Sequence, residues 1–307
     1  MLGPRLAIAA LVASLCAASC STASDPRTTD ELIAEGRQLD LDGRHDEAVD
    51  LFRLALERDP DSFDAHYGLA RALDLTGAYE DARRHFERAI ELAPEHNKDQ
   101  PLRMMGIAWT FVGQVDEAAR YFQQVFDRRL AASAFPGAAD VANELGRVYL
   151  ELRDVDRAEV WYRTGHETAA RESDRAEWQV DLADMRWAHA QARIAARRGQ
   201  AEDARRHMAD VERLLDKGTN QDQRIHYPYL AGYVDFHLGE YASARTHLEQ
   251  ADQDDPFILL LLAQASERLG DKEVARDYYR KVLESSSHGI TNAFARPVAL
   301  EKLGESG

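Results

Sequence analysis

Small and apolar residues recur along this chain at a fixed spacing, with mostly polar residues between them. One series of six positions occurs twice, 34 residues apart: Gly36, Gly43, Ala48, Phe52, Ala55 and Pro60, and then Ala70, Gly77, Ala82, Phe86, Ala89 and Pro94. The spacing within each copy is typical of two amphipathic helices joined by a glycine turn. A repeat of this length predicts helical hairpins that stack into one elongated body.

The same pattern continues as three aligned positions over seven units. An alanine in the second helix of each unit occupies the first position: Ala48, Ala82, Ala118, Ala158, Ala204, Ala244 and Ala275. Glycine or alanine occupies the point where the two helices approach: Gly36, Ala70, Gly106, Gly146, Ala192, Gly232 and Ala263. A large side chain fills the third: Phe52, Phe86, Phe122, Tyr162, Met208, Leu248 and Tyr279. Small residues at a crossing allow close helix packing. Because the three positions recur over seven units, six or seven hairpins are expected.

These residues resemble the tetratricopeptide repeat, which has a small residue in its first helix and an Ala, an aromatic residue and a closing Pro in its second. The resemblance implies an all-α fold, a right-handed superhelix of stacked helix-turn-helix hairpins over residues 29–284. In every unit except the fourth, which has Arg153, a glycine is expected to end the first helix in a left-handed turn.

The middle units are longer than 34 residues. Extra residues at 129–137 are expected between hairpins, and 174–198, which contains neither Gly nor Pro, predicts a first helix about two turns longer than its siblings. Residues 216–223 are interpreted as a polar loop. The apolar run 257–265 is too short to span a bilayer, and it is interpreted as a buried helix.

Residues 285–307 are predicted to cap the stack, since the last repeat of such an array needs a polar outer face. The pattern gives a loop at 285–291 and a final helix at 292–303, broken near Pro297. A docking tail is the alternative.

Residues 1–19 have the build of a secretory signal, with Arg5 followed by a short apolar run. The segment ends in Ala17-Ala18-Ser19-Cys20, which is similar to the lipobox of bacterial lipoproteins. That resemblance implies that Cys20 is lipidated and that residues 20–28 link the anchor to the solenoid. An ordinary cleaved signal peptide is the alternative. Because Ser21 stands where some inner-membrane lipoproteins have Asp, we expect an exported protein anchored in the outer membrane and facing the periplasm.

Composition narrows the function further. The formal net charge is −16, which argues against nucleic-acid binding, and Cys16 and Cys20 are the only cysteines, so no disulfide framework is expected. No phosphate loop, nucleophile elbow or metal-binding motif occurs, so neither an enzyme nor a bound cofactor is expected. His85, His207 and His247 occupy equivalent outer-helix positions, which the repeat itself explains.

The resemblance also implies which side chains line the inner, concave groove: Tyr67, Arg71, Arg103, Asn143, Arg147, His189, Arg193, His226, Tyr229, Tyr233 and Phe236. Arginine forks bind carboxylates and rigid aromatic rings supply contact area, so the groove is predicted to hold an extended or acidic segment of a protein partner. The family's carboxylate clamp of paired Lys and Asn is not reproduced. Alternatively, these arginines pair with Asp30, Asp64, Asp74 and Asp140 and hold neighbouring repeats together.

The favoured hypothesis is a membrane-tethered scaffold that assembles a cell-envelope complex. A structural spacer or self-associating protein, using Tyr229, Tyr233 and Phe236 as a self-contact, is a second hypothesis. A third is an envelope enzyme or metal-binding protein that uses groove histidines and acids. The sequence leaves the oligomeric state and the partner's identity open.

Overall fold

A computed structural model describes residues 25–304, which contain fifteen α-helices, two short 3₁₀ segments and no strand. The 3₁₀ segments are Glu95–Asn97 and Gln221–His226. The α-helices are α1 (Thr29–Leu41), α2 (His45–Arg58), α3 (Phe63–Thr76), α4 (Tyr79–Leu92), α5 (Asp99–Phe111), α6 (Val115–Ala131), α7 (Phe135–Glu151), α8 (Val155–Ala169), α9 (Glu177–Arg197), α10 (Ala201–Asp216), α11 (Tyr227–His237), α12 (Tyr241–Leu248), α13 (Pro256–Leu269), α14 (Lys272–Leu283) and α15 (Ile290–Leu303).

Consecutive helices pack as pairs, and each pair packs on the next, which confirms the predicted all-α solenoid; α1–α14 form seven hairpins, at the upper end of the expected six or seven. The glycine turns are confirmed as well, since Gly77 ends α3 with a φ of 87° and its counterparts also have positive φ. In the fourth unit Arg153 adopts the same conformation, with a φ of 73°. The left-handed conformation costs a non-glycine residue about 1–2 kcal/mol, so stacking of the helices must supply that energy.

The helix crossings explain the small residues. A Cβ atom added at Gly106 would lie 2.8 Å from the Phe122 ring, and one at Gly146 would lie 2.9 Å from the Tyr162 ring. Each large side chain therefore occupies the space left by a small residue on the facing helix. The predicted packing positions are confirmed in these hairpins.

The insertions mainly lengthen helices. Helix α9 has 21 residues against 13 in α1, so the prediction of about two extra turns is confirmed. Residues 129–137 extend α6 and α7 to 17 residues each and leave only 132–134 between them, so a long connection between these hairpins was a wrong expectation. The interpretation of 216–223 as a plain loop was also incomplete, because Lys217 and Thr219 donate hydrogen bonds of 2.6 and 2.8 Å to the buried carboxylate of Asp181.

Two apolar features lie inside the fold. The run Phe257–Ala263 in α13 is buried, as the sequence predicts. Helix α15 runs without interruption through Pro297, so the predicted break was wrong. Proline removes one helical hydrogen bond, but α15 packs against α13, α14 and α5, and this burial stabilises a continuous helix. Within residues 25–304, none of the helices has both the length and the hydropathy needed to cross a membrane.

The segment before α15 folds back onto the first two hairpins. The Oγ of Ser286 donates to the carbonyl oxygen of Leu41 over 2.8 Å. The Nε2 of His288 lies 2.7 Å from Oδ2 of Asp74, and both side chains are fully buried. The C-terminal segment thus contacts the early repeats as well as the last one, and it closes part of the inner face.

Candidate functional site

A cavity of about 600 Å³ lies on the inner face of the solenoid. Its walls come chiefly from α7, α9, the second 3₁₀ segment and α11, with α13 and α15 closing one side. Seven of the eleven side chains predicted to face the groove line this cavity: Arg103, Asn143, Arg147, His189, Arg193, His226 and Tyr229. The fold therefore brings together residues that are up to 126 positions apart in the sequence.

Two of the remaining four lie towards the N-terminus. The hydroxyl of Tyr67 accepts a hydrogen bond of 3.1 Å from the side chain of Gln100. The guanidinium of Arg71 lies 3.5 Å from the carboxylate of Asp40. Both side chains bridge neighbouring hairpins, and neither lines the cavity.

The last two belong to α11 but not to the cavity. Tyr233 is fully buried, and its hydroxyl donates to Glu151 over 3.2 Å. Phe236 packs edge-on against Tyr241 and lines a second cavity of about 940 Å³. A self-contact through the strip of three aromatic residues would thus need Tyr233, which is wholly enclosed by its own chain.

Most arginines at the cavity rim are paired with acids. Arg103 forks onto Glu144 with two hydrogen bonds of 2.6 Å, and Arg186 lies 2.8 Å from Asp140. Arg103 thus joins neighbouring repeats, as the alternative interpretation of the groove arginines expects. The acids named there were wrong, because Asp64 pairs with Arg37, Asp74 with His288 and Asp140 with Arg186. Because most side chains of the Arg103 and Arg186 pairs are partly or fully exposed, each of these two pairs stabilises the fold by no more than about 1 kcal/mol.

Arg147 and Arg193 form the part of the cavity that we call its floor. They differ from the rim arginines because neither has a carboxylate within 4.0 Å among residues 25–304. Arg193 is only 6% exposed and donates one hydrogen bond, of 2.9 Å, to the hydroxyl of Tyr162. The guanidinium of Arg147 lies over aromatic rings, 5.2 Å from Phe257 and 5.8 Å from Tyr229. The charge of both arginines is thus met by aromatic faces instead of an anion.

Several polar atoms of the floor are buried without a hydrogen-bond partner in the described structure. They are the Nε atoms of Arg147 and Arg193 and the hydroxyl of Tyr229. An unsatisfied buried donor costs about 1–3 kcal/mol. The floor therefore contains buried polar groups whose hydrogen bonds are not satisfied by other groups of the described structure.

The titratable neighbours leave the floor positively charged. Burial, together with the nearby guanidiniums of Arg193 and Arg147, holds the pKa of His189 well below its ordinary value, so the imidazole is neutral. Burial raises the pKa of Tyr162 to about 12, and it also raises the pKa of Tyr229, so neither phenol ionises near neutral pH. Both arginines remain charged; Glu151 acts on both of them through space, and Asp255 acts on Arg147, without a direct ion pair.

Two side chains of this site were not expected from the sequence. Tyr162 was interpreted only as a packing residue, although its hydroxyl meets Arg193. Arg186 lies on α9 three residues before His189 and seven before Arg193, which places all three on one helix face. That spacing was the available signal.

Residues 25–304 contain no group of three or more His, Cys, Asp or Glu side chains arranged to hold a metal ion. The three equivalent histidines have separate partners instead. His85 lies 2.8 Å from His66, His247 lies 2.9 Å from Asp235, and His207 lies 3.6 Å from Asp210.

Comparison with solved structures shows the fold. A tetratricopeptide repeat protein from Parabacteroides merdae superposes with a TM-score of 0.52 at 15% identity, covering 91% of this chain and 98% of that one. The apo form of RapI gives 0.52 at 11% identity, covering 90% and 99%. A putative kinesin light chain from Podosopora anserina with TPR-like repeats gives 0.50 at 18%, covering 62% and 95%.

No curated protein sequence matches the chain. Two family models, both described as tetratricopeptide repeat, match residues 41–100 and residues 111–166 and 229–290. Together these matches cover more than half of the 307 residues, and they lie within the helical repeats described above. Repeats of this family form scaffolds for protein–protein interaction, and the chain belongs to the tetratricopeptide-repeat proteins.

Proposed function

We propose that this protein is a membrane-tethered scaffold that holds a segment of a partner protein at the mouth of the inner cavity, in the assembly of a cell-envelope complex. The main observation behind the proposal is that seven of the predicted groove residues line that one cavity. The exposed rim offers donors of different kinds, including the amide of Asn143 and the imidazole of His226. Such a surface suits an acidic, extended segment.

The tether rests on the sequence, because Cys20 lies outside the described residues. The structure adds a limit on its reach. Arg58 donates to the backbone carbonyl of Asp25 over 2.6 Å, which fixes residues 25–28 against α2. Only residues 21–24 then separate the proposed anchor from the folded body, and four residues span at most about 14 Å. The first hairpin would lie next to the bilayer surface.

The partner site is tested by crosslinking and capture from intact cells that express the full chain. The variant carries Arg103→Glu and His226→Glu, which reverse or add charge at the rim. The matched control carries Arg163→Glu and Arg213→Glu on the outer helices α8 and α10, where both side chains are exposed. We expect one protein to be lost selectively from the rim variant. Equal capture by wild type, rim variant and control would contradict a partner site on the inner face.

The anchor is tested separately with Cys20→Ala. The substitution should leave the precursor unlipidated, so the protein should move from the membrane fraction to the soluble fraction after a high-salt wash. The Cys16→Ala variant is the matched control and should remain with the membrane. Retention of Cys20→Ala at the membrane would refute lipid anchoring without affecting the proposed partner site.

A further inference from the structure

The floor of the inner cavity combines charge, unsatisfied donors and enclosure. Arg147 and Arg193 project from α7 and α9 into the same space, and no carboxylate of residues 25–304 lies within 4.0 Å of either. Two acids act on them from farther away: Glu151 faces Arg197 at 3.6 Å through Oε2 while its Oε1 has no hydrogen-bond partner in the described part of the chain, and Asp255 caps the N-terminus of α13. Two like charges that share a buried space without an anion between them repel each other.

The unsatisfied polar atoms indicate which chemical group a ligand would present to the floor. The Nε atoms of both arginines and the hydroxyl of Tyr229 have no partner, while His189 beside them is neutral. Guanidinium forks match the two oxygens of a carboxylate, and a phenol can donate to the same group. A single carboxylate at the floor would therefore satisfy donors from three different side chains.

The rest of the lining specifies what the carboxylate is attached to. Beyond the arginines, part of the wall is formed by five buried apolar side chains: Val141, Met185, Val211, Leu215 and Ile258. Water against these five side chains finds no hydrogen-bond partner on them, and an apolar group would displace it favourably. The occupant should thus carry an apolar body next to its carboxylate.

The enclosure limits the size of the occupant. Helix α13 and the start of α15 close the cavity with Ile258 and Ile290, and the 3₁₀ segment 221–226 crosses its other side. The remaining volume of about 600 Å³ lies within the range of sites for small molecules. An extended peptide that runs through several repeats would have to displace these elements.

We infer that the cavity floor is a binding site for a small free organic acid, a monocarboxylate with an aromatic or branched apolar body, whose carboxylate is held between Arg147 and Arg193. The site goes beyond the proposed scaffold function and does not depend on any protein partner. The charged side chains that line the cavity come from α5 and α6 (Arg103 and Arg129), from α7 (Asp140, Glu144 and Arg147), from α9 (Arg186 and Arg193) and from the segment before α13 (Asp252 and Asp255).

The test is calorimetric titration of the purified exported chain with 4-phenylbutyrate as probe and its neutral amide as matched ligand. The acid should bind with one-to-one stoichiometry, and the amide at least about tenfold more weakly, since it cannot form the charge-assisted pair. Arg147→Met and Arg193→Met should each lose the preference for the acid. The outer-helix variant Arg163→Met should keep it, because Arg163 is exposed on α8 and does not line the cavity.

Thermal melting shows whether a variant loses binding because its fold is less stable or because the arginine itself is needed. Without ligand, Arg147→Met should melt no lower than wild type, because it removes an unpaired charge. Equal affinity for acid and amide in wild type would overturn the inference, as would acid binding that persists in both floor variants. Binding of a blocked Phe-Glu dipeptide amide without binding of the free acid would also overturn it and assign the site to a protein segment.

Discussion

The buried contact between His288 and Asp74 offers a direct test of how the C-terminal segment is held. His288→Ala removes the only hydrogen-bond partner of the Asp74 carboxylate in the described structure, and it also leaves an empty space between the rings of Phe86 and Phe111. Burial raises the pKa of Asp74, and the hydrogen bond and charge of His288 oppose that shift. Removing one partner of such a buried pair costs about 3–5 kcal/mol.

The cost should appear locally, since repeat arrays can open from one end. Hydrogen exchange of the α15 amides should therefore accelerate by roughly 10²- to 10⁴-fold, at about 1.4 kcal/mol for each factor of ten. Amides of α9 and α10, which do not contact this segment, should change little. The exchange is measured by mass spectrometry on peptides from α15 and from α9.

Ser286→Ala is the matched control, because it removes a hydrogen bond from the same loop at a more exposed position. Its effect should stay near 1 kcal/mol. The double variant Asp74→Ala, His288→Ala should exchange more slowly than His288→Ala alone, since no buried carboxylate remains unpaired. If His288→Ala exchanged like Ser286→Ala, the pair would not hold the segment and the reasoning would be refuted.

Three further predictions concern the repeats and their histidines. Ala82→Leu should lower the free energy of unfolding by about 1–3 kcal/mol, because Ala82 is fully buried at a helix crossing. An unchanged melting curve would mean that Ala82 does not lie at the crossing. Gly146→Ala should cost a similar amount through the clash with Tyr162, measured by urea unfolding, whereas Ala134→Gly at an exposed turn should have little effect. Finally, burial lowers the pKa of His237 to about 3, and it holds that of His189 well below 6.5. Below pH 6.5 the unfolded chain therefore binds more protons than the folded chain, so the free energy of unfolding should be highest above pH 6.5 and should decrease towards pH 3. The decrease should be up to about 1.4 kcal/mol per pH unit for each histidine. In His237→Gln, the free energy of unfolding should depend less on pH.

The candidate site could be predicted only in part. The repeat positions predicted that Arg103, Arg147 and Arg193 share one face, because side-chain direction follows from position within a helix, and in the structure all three line the cavity. They could not show which arginines are paired. Arg103 meets Glu144 on the neighbouring hairpin, while Arg147 and Arg193 meet aromatic rings, and this difference depends on how far each helix is rotated against the next.

The amino-acid sequence was sufficient to predict the hairpins, their glycine turns, the small and large residues at each crossing and the long helix α9. These features depend on contacts within a unit or between adjacent units, so a local pattern is sufficient to specify them. The return of residues 285–303 to hairpins one to three, the continuity of α15 through Pro297 and the narrowing of the inner groove to a cavity became evident only in the folded structure. The hydrogen bonds of Ser286 and His288 join residues 245 and 214 positions apart. Their geometry results from small rotations summed over every repeat, which no single stretch of sequence specifies.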